Sequence, residues 1–324
     1  MTSRYDAAKL DGQNERPTLP RLFVPISFPP LTELRAIGRR YLGSSHDLGS
    51  AWDAPRSQVD LSDLIATRFQ DVDDVHQRLT DLESRLREAN DRRAVFLTVY
   101  AKMTASVSDA IERGVFTDTD WIRRYTIVFA DYYRRALLAS ERDQTDKVPR
   151  PWQIAFGAST RGQTIILQDA LLGINAHINY DLAYAIHDVG IDPDRPTKRA
   201  DHNAINDILR RLIDDAQDAL VDIYRSDTIA RLDDLLGRSD ERLAHLGLVS
   251  SRDLAWHNAE GLTDRRLPPL RSFVRWRLTS VSTGAAHIIA HLPSDPDLIQ
   301  HVRRLEDEIS PIQSFRDAFL ARAG

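Results

Sequence analysis

The residues of this chain best suited to chemistry crowd into one apolar stretch. Between Ile165 and Ile191, where Ala170, Leu171, Leu172, Ile174, Ile178, Leu182 and Ile186 dominate, stand His177, Asp181, His187 and Asp188. They belong to the run Asn175-Ala176-His177-Ile178-Asn179-Tyr180-Asp181 and the His187-Asp188 pair after it. On a helix, an imidazole and a carboxylate four residues apart share one face, about one turn apart. If the α-helix continues, Asp188 returns to nearly the face of His177, and His187 lies within about a quarter turn of it. Such a cluster suits two chemistries. It can hold a divalent ion, whose nitrogen and oxygen ligands sit at about 2.0–2.2 Å and which lowers the pKa of a bound water. It can also work as an acid–base pair, the imidazole tuned by its carboxylate. The plainer reading is a paired His–Asp hydrogen bond that orients a helix in the core, where unpaired polar groups are costly.

Further donors stand on neighbouring segments. Asp131 lies beside Phe129, Ala130, Tyr132 and Tyr133, and is either a carboxylate ligand from a third helix or a solvated acid. Asp201 and His202 open a downstream helix, where capping alone accounts for Asp201. Asn206 falls on an apolar face with Ile205, Leu209 and Ile213, and a buried amide there needs several partners. His287 and His291 repeat the four-residue spacing without the glutamate of a zincin. Asp71, Asp73, Asp74 and His76 read as the wet face of an amphipathic helix.

Helices must position these groups. Apolar residues from Leu61 to Leu86 recur every three or four positions. Arg92 to Arg113 forms a second helix stopped by Gly114, and Thr117 to Asp120 caps a third that runs from Trp121 to Ser140. Val148-Pro149-Arg150-Pro151 is a stiff connector. A long apolar helix then covers Trp152 to Val189, with a break near Gly157 to Gly162. Further helices are expected at Asp201–Tyr224, Asp227–Leu235, Asp240–Gly247, Ser251–Ala259, Leu270–Leu292 and Pro296–Ala321. No alternating strand pattern of useful length appears. Residues 1–58, broken by Pro17, Pro20, Pro25, Pro29 and Pro30, read as an extended arm with one short helix from Leu31 to Leu42.

Composition narrows the functional classes. The 324 residues carry a net charge of −5, 42% hydrophobic and 28% charged residues. No basic tract suited to nucleic acid is present. The absence of cysteine excludes disulfides, thiolate catalysis and cysteine-held metal sites. No apolar run approaches the roughly 20 residues of a membrane span, and no secretory signal opens the chain, so a cytoplasmic location is expected. Nucleophile elbow, phosphate loop and dinucleotide fingerprint are all missing.

Two resemblances add to this. The segment from about Phe116 to Asp214 resembles the bacterial group known as domain of unknown function 5995. It does so through Val128-Phe129-Ala130-Asp131-Tyr132, Val148 to Trp152, Asn175 to Leu182, and Asp201 to Asn206. No activity comes with that resemblance. The spacing His177-x3-Asp181-x5-His187 is similar to the metal motif of the helical zinc-dependent phospholipase C and single-strand nuclease superfamily. It implies a metal cluster on those three residues and water-driven cleavage of a phosphodiester. This chain departs from that pattern because His202 is followed four residues later by Asn206, not by an acid, and nothing suggests processing to an amino-terminal Trp ligand. A one- or two-metal variant is what the resemblance then implies.

The expectation is therefore an all-α, single-domain helical bundle at residues 59–324 with an extended Pro-rich arm at 1–58. Its leading function is metal-assisted hydrolysis of a phosphoester or lipid-like substrate. Zinc, manganese or iron would be held by His177, Asp181 and His187, with Asp131 or Asp201 completing the site. Asp188, orienting a ligand histidine, and Asn206 belong to the expected catalytic set. Two alternatives stay open: a metal-free cyclase or isomerase using His177 and Asp181 as an acid–base pair, and a non-catalytic helical ligand-binding or scaffold protein. The expected partner is a small-molecule or lipid-like substrate, and a homo-oligomer is left open.

Overall fold

Local chemistry cuts the chain into helices close to where the sequence places them. The computed structural model describes residues 59–162, 164–224, 247–264, 268–291 and 296–324. The arm expected at 1–58 and the helices expected at 227–235 and 240–247 lie outside the described residues. The helices are α1 (Ser62–Ile65), α2 (Val72–Glu88), α3 (Ala94–Glu112), α4 (Thr119–Glu141), α5 (Arg150–Arg161) and α6 (Ile166–Ile174). After α6 comes a π-helical turn (Asn175–Asp181), followed by α7 (Leu182–Val189), α8 (Arg195–Tyr224), α9 (Leu248–Asp264), α10 (Pro268–Ala290), α11 (Pro296–Asp307) and α12 (Pro311–Ala323). No strand occurs among the described residues, so the all-α expectation holds.

The boundaries have visible causes. Asp118 caps α4 by accepting the Trp121 N–H at 2.9 Å. Gly162, at φ 59°, closes α5 in the left-handed conformation and makes the break expected in the long apolar run. Two expected helices are each split. Asp71 accepts the Asp74 N–H at 2.8 Å and starts a fresh helix after α1. Pro311 occupies the first turn of α12, where a proline fits, whereas inside a continuous helix it would break the hydrogen-bond ladder. The helix expected from Asp201 begins earlier, at Arg195.

The run from α6 through the π turn to α7 is the central element. Ile166, Leu167, Ala170, Leu172, Ala176, Ile178, Leu182, Ala183 and Ile186 are all buried in one core cluster, which leaves Asp188 near the end of the run exposed. Helices α4, α5, α9 and α10 pack around the π turn. Among the described residues, no helix is long and apolar enough to cross a membrane.

A buried ionic network ties the outer helices to this centre. Arg92 donates from Nε to Asp169 Oδ2 at 2.6 Å and from Nη2 to Glu306 Oε2 at 2.8 Å. Asp169 also accepts from Ser159 and Thr164. Glu306 accepts from the Ile166 N–H and the Tyr224 hydroxyl. Both carboxylates are nearly inaccessible to solvent, so the guanidinium is what offsets their desolvation. Arg92→Ala strands two buried charges and should cost about 3–5 kcal/mol in chemical denaturation. Asp63→Ala removes only the exposed pair with Arg85 and should leave the denaturation midpoint unchanged.

Candidate functional site

The Asn175–Asp181 motif forms a π-helical turn, in which the Leu182 N–H bonds to the His177 carbonyl five residues back. Such turns are rare and concentrate where a helix has been reshaped for a task. Within it, His177 Nδ1 lies 3.1 Å from Asp181 Oδ2, as the four-residue spacing predicted. Trp152 on α5 donates its indole N–H to the same Oδ2 at 2.8 Å. Asp181 is 0% exposed and His177 2%. Burial pushes the Asp181 carboxyl up and the His177 imidazole down, the hydrogen bond between them opposing both shifts. A neutral imidazole that donates through Nδ1–H keeps its lone pair on Nε2, and that atom is buried without a hydrogen-bond partner.

Aromatic rings enclose the imidazole. Phe129 stacks on it at 3.6 Å and 9°, and Tyr100 meets it edge-on at 4.5 Å. Phe96, Trp152 and Tyr133 stand 5.8, 6.2 and 6.4 Å away. Gly173 admits this arrangement, because a Cβ there would lie 2.5 Å from Phe96 Cγ. Besides Nε2, three buried oxygens of the same elements have no hydrogen-bond partner: Asp181 Oδ1, Asn179 Oδ1 and the Tyr133 hydroxyl. Asn175 anchors the turn by donating to the Ser282 carbonyl on α10 at 2.9 Å.

The remaining expected ligands do not join the pair. The π turn ends the α-helical phase on which the face count for His187 and Asp188 relied. His187 instead meets Thr263 Oγ1 on α9 at 3.0 Å. Asp188 is exposed and accepts from Tyr132 at 2.7 Å, so it orients no histidine of the site. Asp131 is held by Arg134 Nε at 2.5 Å and by Arg135 at 3.4 Å. Asp201, which sits inside α8, anchors the lead-in to α4 by accepting the N–H groups of Thr117 and Asp118 at 2.9 and 2.7 Å. Among the described residues no three His, Asp or Glu side chains gather to hold an ion. The described donors therefore supply two of the metal ligands expected from sequence.

Asn206 belongs to a second buried network, with His202, Tyr125 and Arg252. Arg252 Nε donates to Asn206 Oδ1 at 2.7 Å, and Nη2 to the His202 carbonyl at 2.7 Å. The Tyr125 hydroxyl lies 3.0 Å from His202 Nδ1, and His202 Nε2 lies 3.2 Å from the Arg252 carbonyl. No carboxylate pairs with Arg252 among the described residues. Sequence reasoning missed Trp152, Tyr125 and Arg252. The spacing Trp121, Tyr125, Phe129, Tyr133 was an available signal for an aromatic face on α4, and a buried indole needs an acceptor. Nothing local marks Arg252 for burial. Two cavities lie nearby, of about 460 Å³ beside α4 and Tyr180 and about 1250 Å³ between α2, α5 and α12. Neither has His177 or Asp181 in its wall.

Comparison with known proteins adds one finding. Residues 72–292 match the model of a family of unknown function, DUF5995, and the chain belongs to that family. The match runs from the start of α2 to just past α10, so it contains both networks. No curated protein and no solved structure matches the chain.

Both network histidines are held below the ordinary imidazole value, chiefly by burial, with Arg252 and Arg199 adding to the effect at His202. The unfolded chain therefore takes up protons below about pH 6.5 that the native state refuses. Stability should fall as pH drops through that value toward the folded pKa values, by up to about 1.4 kcal/mol per pH unit for each histidine. Denaturation curves at pH 7.5 and 5.5 should show a smaller loss for His177→Gln or His202→Gln than for wild type. An equal loss in all three proteins would refute this linkage.

Proposed function

We propose that the protein is a metal-free acid–base enzyme in which His177 moves a proton on a small, largely apolar molecule. The observation behind this reading is the buried, unpartnered Nε2 of an imidazole whose other nitrogen is fixed by a carboxylate. Asp181 selects the tautomer and would stabilise the imidazolium when Nε2 accepts a proton. Trp152 holds Asp181 in place. This is the division of labour by which a carboxylate makes histidine an effective base. Isomerisation and cyclisation are the reaction classes that fit. In an isomerisation, Nε2 takes a proton from one carbon and returns it to another, which leaves enzyme and atoms balanced. The face of Phe129, stacked on the imidazole, would favour positive charge developing on His177. Phe129 is only partly buried, so its ring is the wall that must turn to admit a substrate. The reading takes a small-molecule partner and a cytoplasmic setting. We favour this reading over metal-assisted phosphoester hydrolysis because, of the expected ligand set, His177 and Asp181 are the pair in contact.

A second reading has one observation in its favour. His177 and Asp181 are almost inaccessible, as they would be in a non-catalytic protein whose polar pair merely fixes helix register. Two measurements separate the readings. Diethyl pyrocarbonate, followed by peptide mapping, should label His177 in the native protein more slowly than exposed His257. A small-molecule extract incubated in D2O with the protein should contain species that gain deuterium with wild type and not with His177→Gln. A His177 that stays unlabelled while His257 is fully modified, together with identical deuterium patterns for the two proteins, would establish the non-catalytic role.

A further inference from the structure

The cavity of about 460 Å³ lies where α4 meets the 3-10 turn Thr145–Lys147 and the start of α7. Its volume suits a small ligand, for which pockets of roughly 300–1,000 Å³ are usual. Three tyrosines supply one side. The Tyr132 and Tyr184 rings lie 6.2 Å apart and 21° from parallel, and Tyr180 stands 5.1 Å from Tyr184. Burial keeps all three phenols protonated by pushing their pKa values up, so none brings a negative charge. The Tyr132 hydroxyl is committed to Asp188, so Tyr132 brings ring surface to the cavity wall and no free hydrogen-bonding group.

Charge singles the cavity out. Among the described residues its wall carries Arg135 and Lys147 and no Asp or Glu, although the chain as a whole has a net charge of −5. The Arg135 guanidinium lies 4.1 Å over the Tyr132 ring and its Nε stands 3.4 Å from Asp131. Among the described residues Lys147 Nζ bonds to the amide oxygen of Gln144, at 3.2 Å, and has no carboxylate partner. Apolar side chains such as Ala136 and Pro149 complete the wall. An ammonium and a guanidinium at the edge of an aromatic, mostly apolar cavity are the groups that recognise a carboxylate carried on a flat body.

We propose that this cavity binds a small monocarboxylate with a flat apolar body, the body lying against the tyrosine rings and the carboxylate meeting Lys147 and Arg135. The proposal is independent of the role of His177, because neither His177 nor Asp181 lines the cavity, and either idea can fail alone.

The test is isothermal titration calorimetry on the full chain with 2-naphthoate and with 2-naphthamide, which keeps the shape and removes the charge. Naphthoate should bind with one-to-one stoichiometry, and naphthamide at least about tenfold more weakly. Lys147 is exposed, so Lys147→Gln should fold normally. It should weaken naphthoate about tenfold and leave naphthamide unchanged. Tyr184→Leu should weaken both. Equal affinity for the two ligands, or no effect of Lys147→Gln, would overturn the proposal. So would loss of naphthoate binding in Trp276→Ala, because Trp276, with Phe273 and Leu270, forms a separate exposed apolar face on α10.

Discussion

The hydrogen bond from the Trp152 indole to Asp181 Oδ2 governs the centre of this molecule. Inside a protein a carboxylate without donors is expensive, and Asp181 sits where no water-facing route relieves it. The indole supplies one donor and the His177 ring supplies the other, on the same oxygen. That sharing fixes the tautomer of the histidine and leaves Nε2 as the lone pair. It also requires α5 to lie firmly against the π turn. The stiff Val148 to Pro151 connector and the left-handed Gly162 determine where α5 begins and ends. The Arg92 network then clamps the far end of α5, through Ser159, to α3, α6 and α11.

Helix α4 acts as a shared wall between the two buried networks. Trp121, Tyr125 and Phe129 stack in sequence at 5.0 and 6.1 Å, four residues apart and hence on one face. Phe129 continues the stack onto His177, while Tyr125 bonds to His202. The two histidines differ in their surroundings. His177 faces an acid and aromatic rings, whereas His202 faces a guanidinium whose partners are a carbonyl, an amide oxygen and an imidazole nitrogen. Burial keeps both neutral, and only His177 has a nitrogen left over for work. The second network therefore reads as the framework of α4, α8 and α9.

How much of this the sequence disclosed depends on the range of the physics involved. Helix content, the caps at Asp118 and Gly114 and the break at Gly162 follow from contacts within a few residues, and they were legible. The His177–Asp181 pair was legible for the same reason. Phase beyond Asp181 was not, because a π turn needs hydrogen bonds five residues apart that no side-chain pattern announces. His187 and Asp188 were consequently assigned to the wrong face. Asp201 looked like the cap of its own helix. It lies six residues inside α8 and anchors the segment leading into α4 instead, a pairing between positions more than eighty residues apart. Arg252 was invisible because its burial is set by three helices meeting, while its immediate neighbours, Ser251 and Asp253, are ordinary surface types.

The π turn also gives the site a dependence on length. Every turn of this kind holds one residue more than α-helical geometry uses. Deleting any single residue between Asn175 and Asp181 would leave a good helix, an apolar composition and almost every side chain in place. It would nonetheless close the π turn into an ordinary α-helical one, leaving Leu182, Ala183 and Ile186 on the core they now fill while abolishing the local geometry that sets His177 against Asp181. For a lineage carrying this helix, a conservative substitution inside it is a smaller event than the loss of one codon. Among relatives, the number of residues between the Asn175 and Asp181 positions is thus a sharper criterion for a shared site than similarity of the residues themselves.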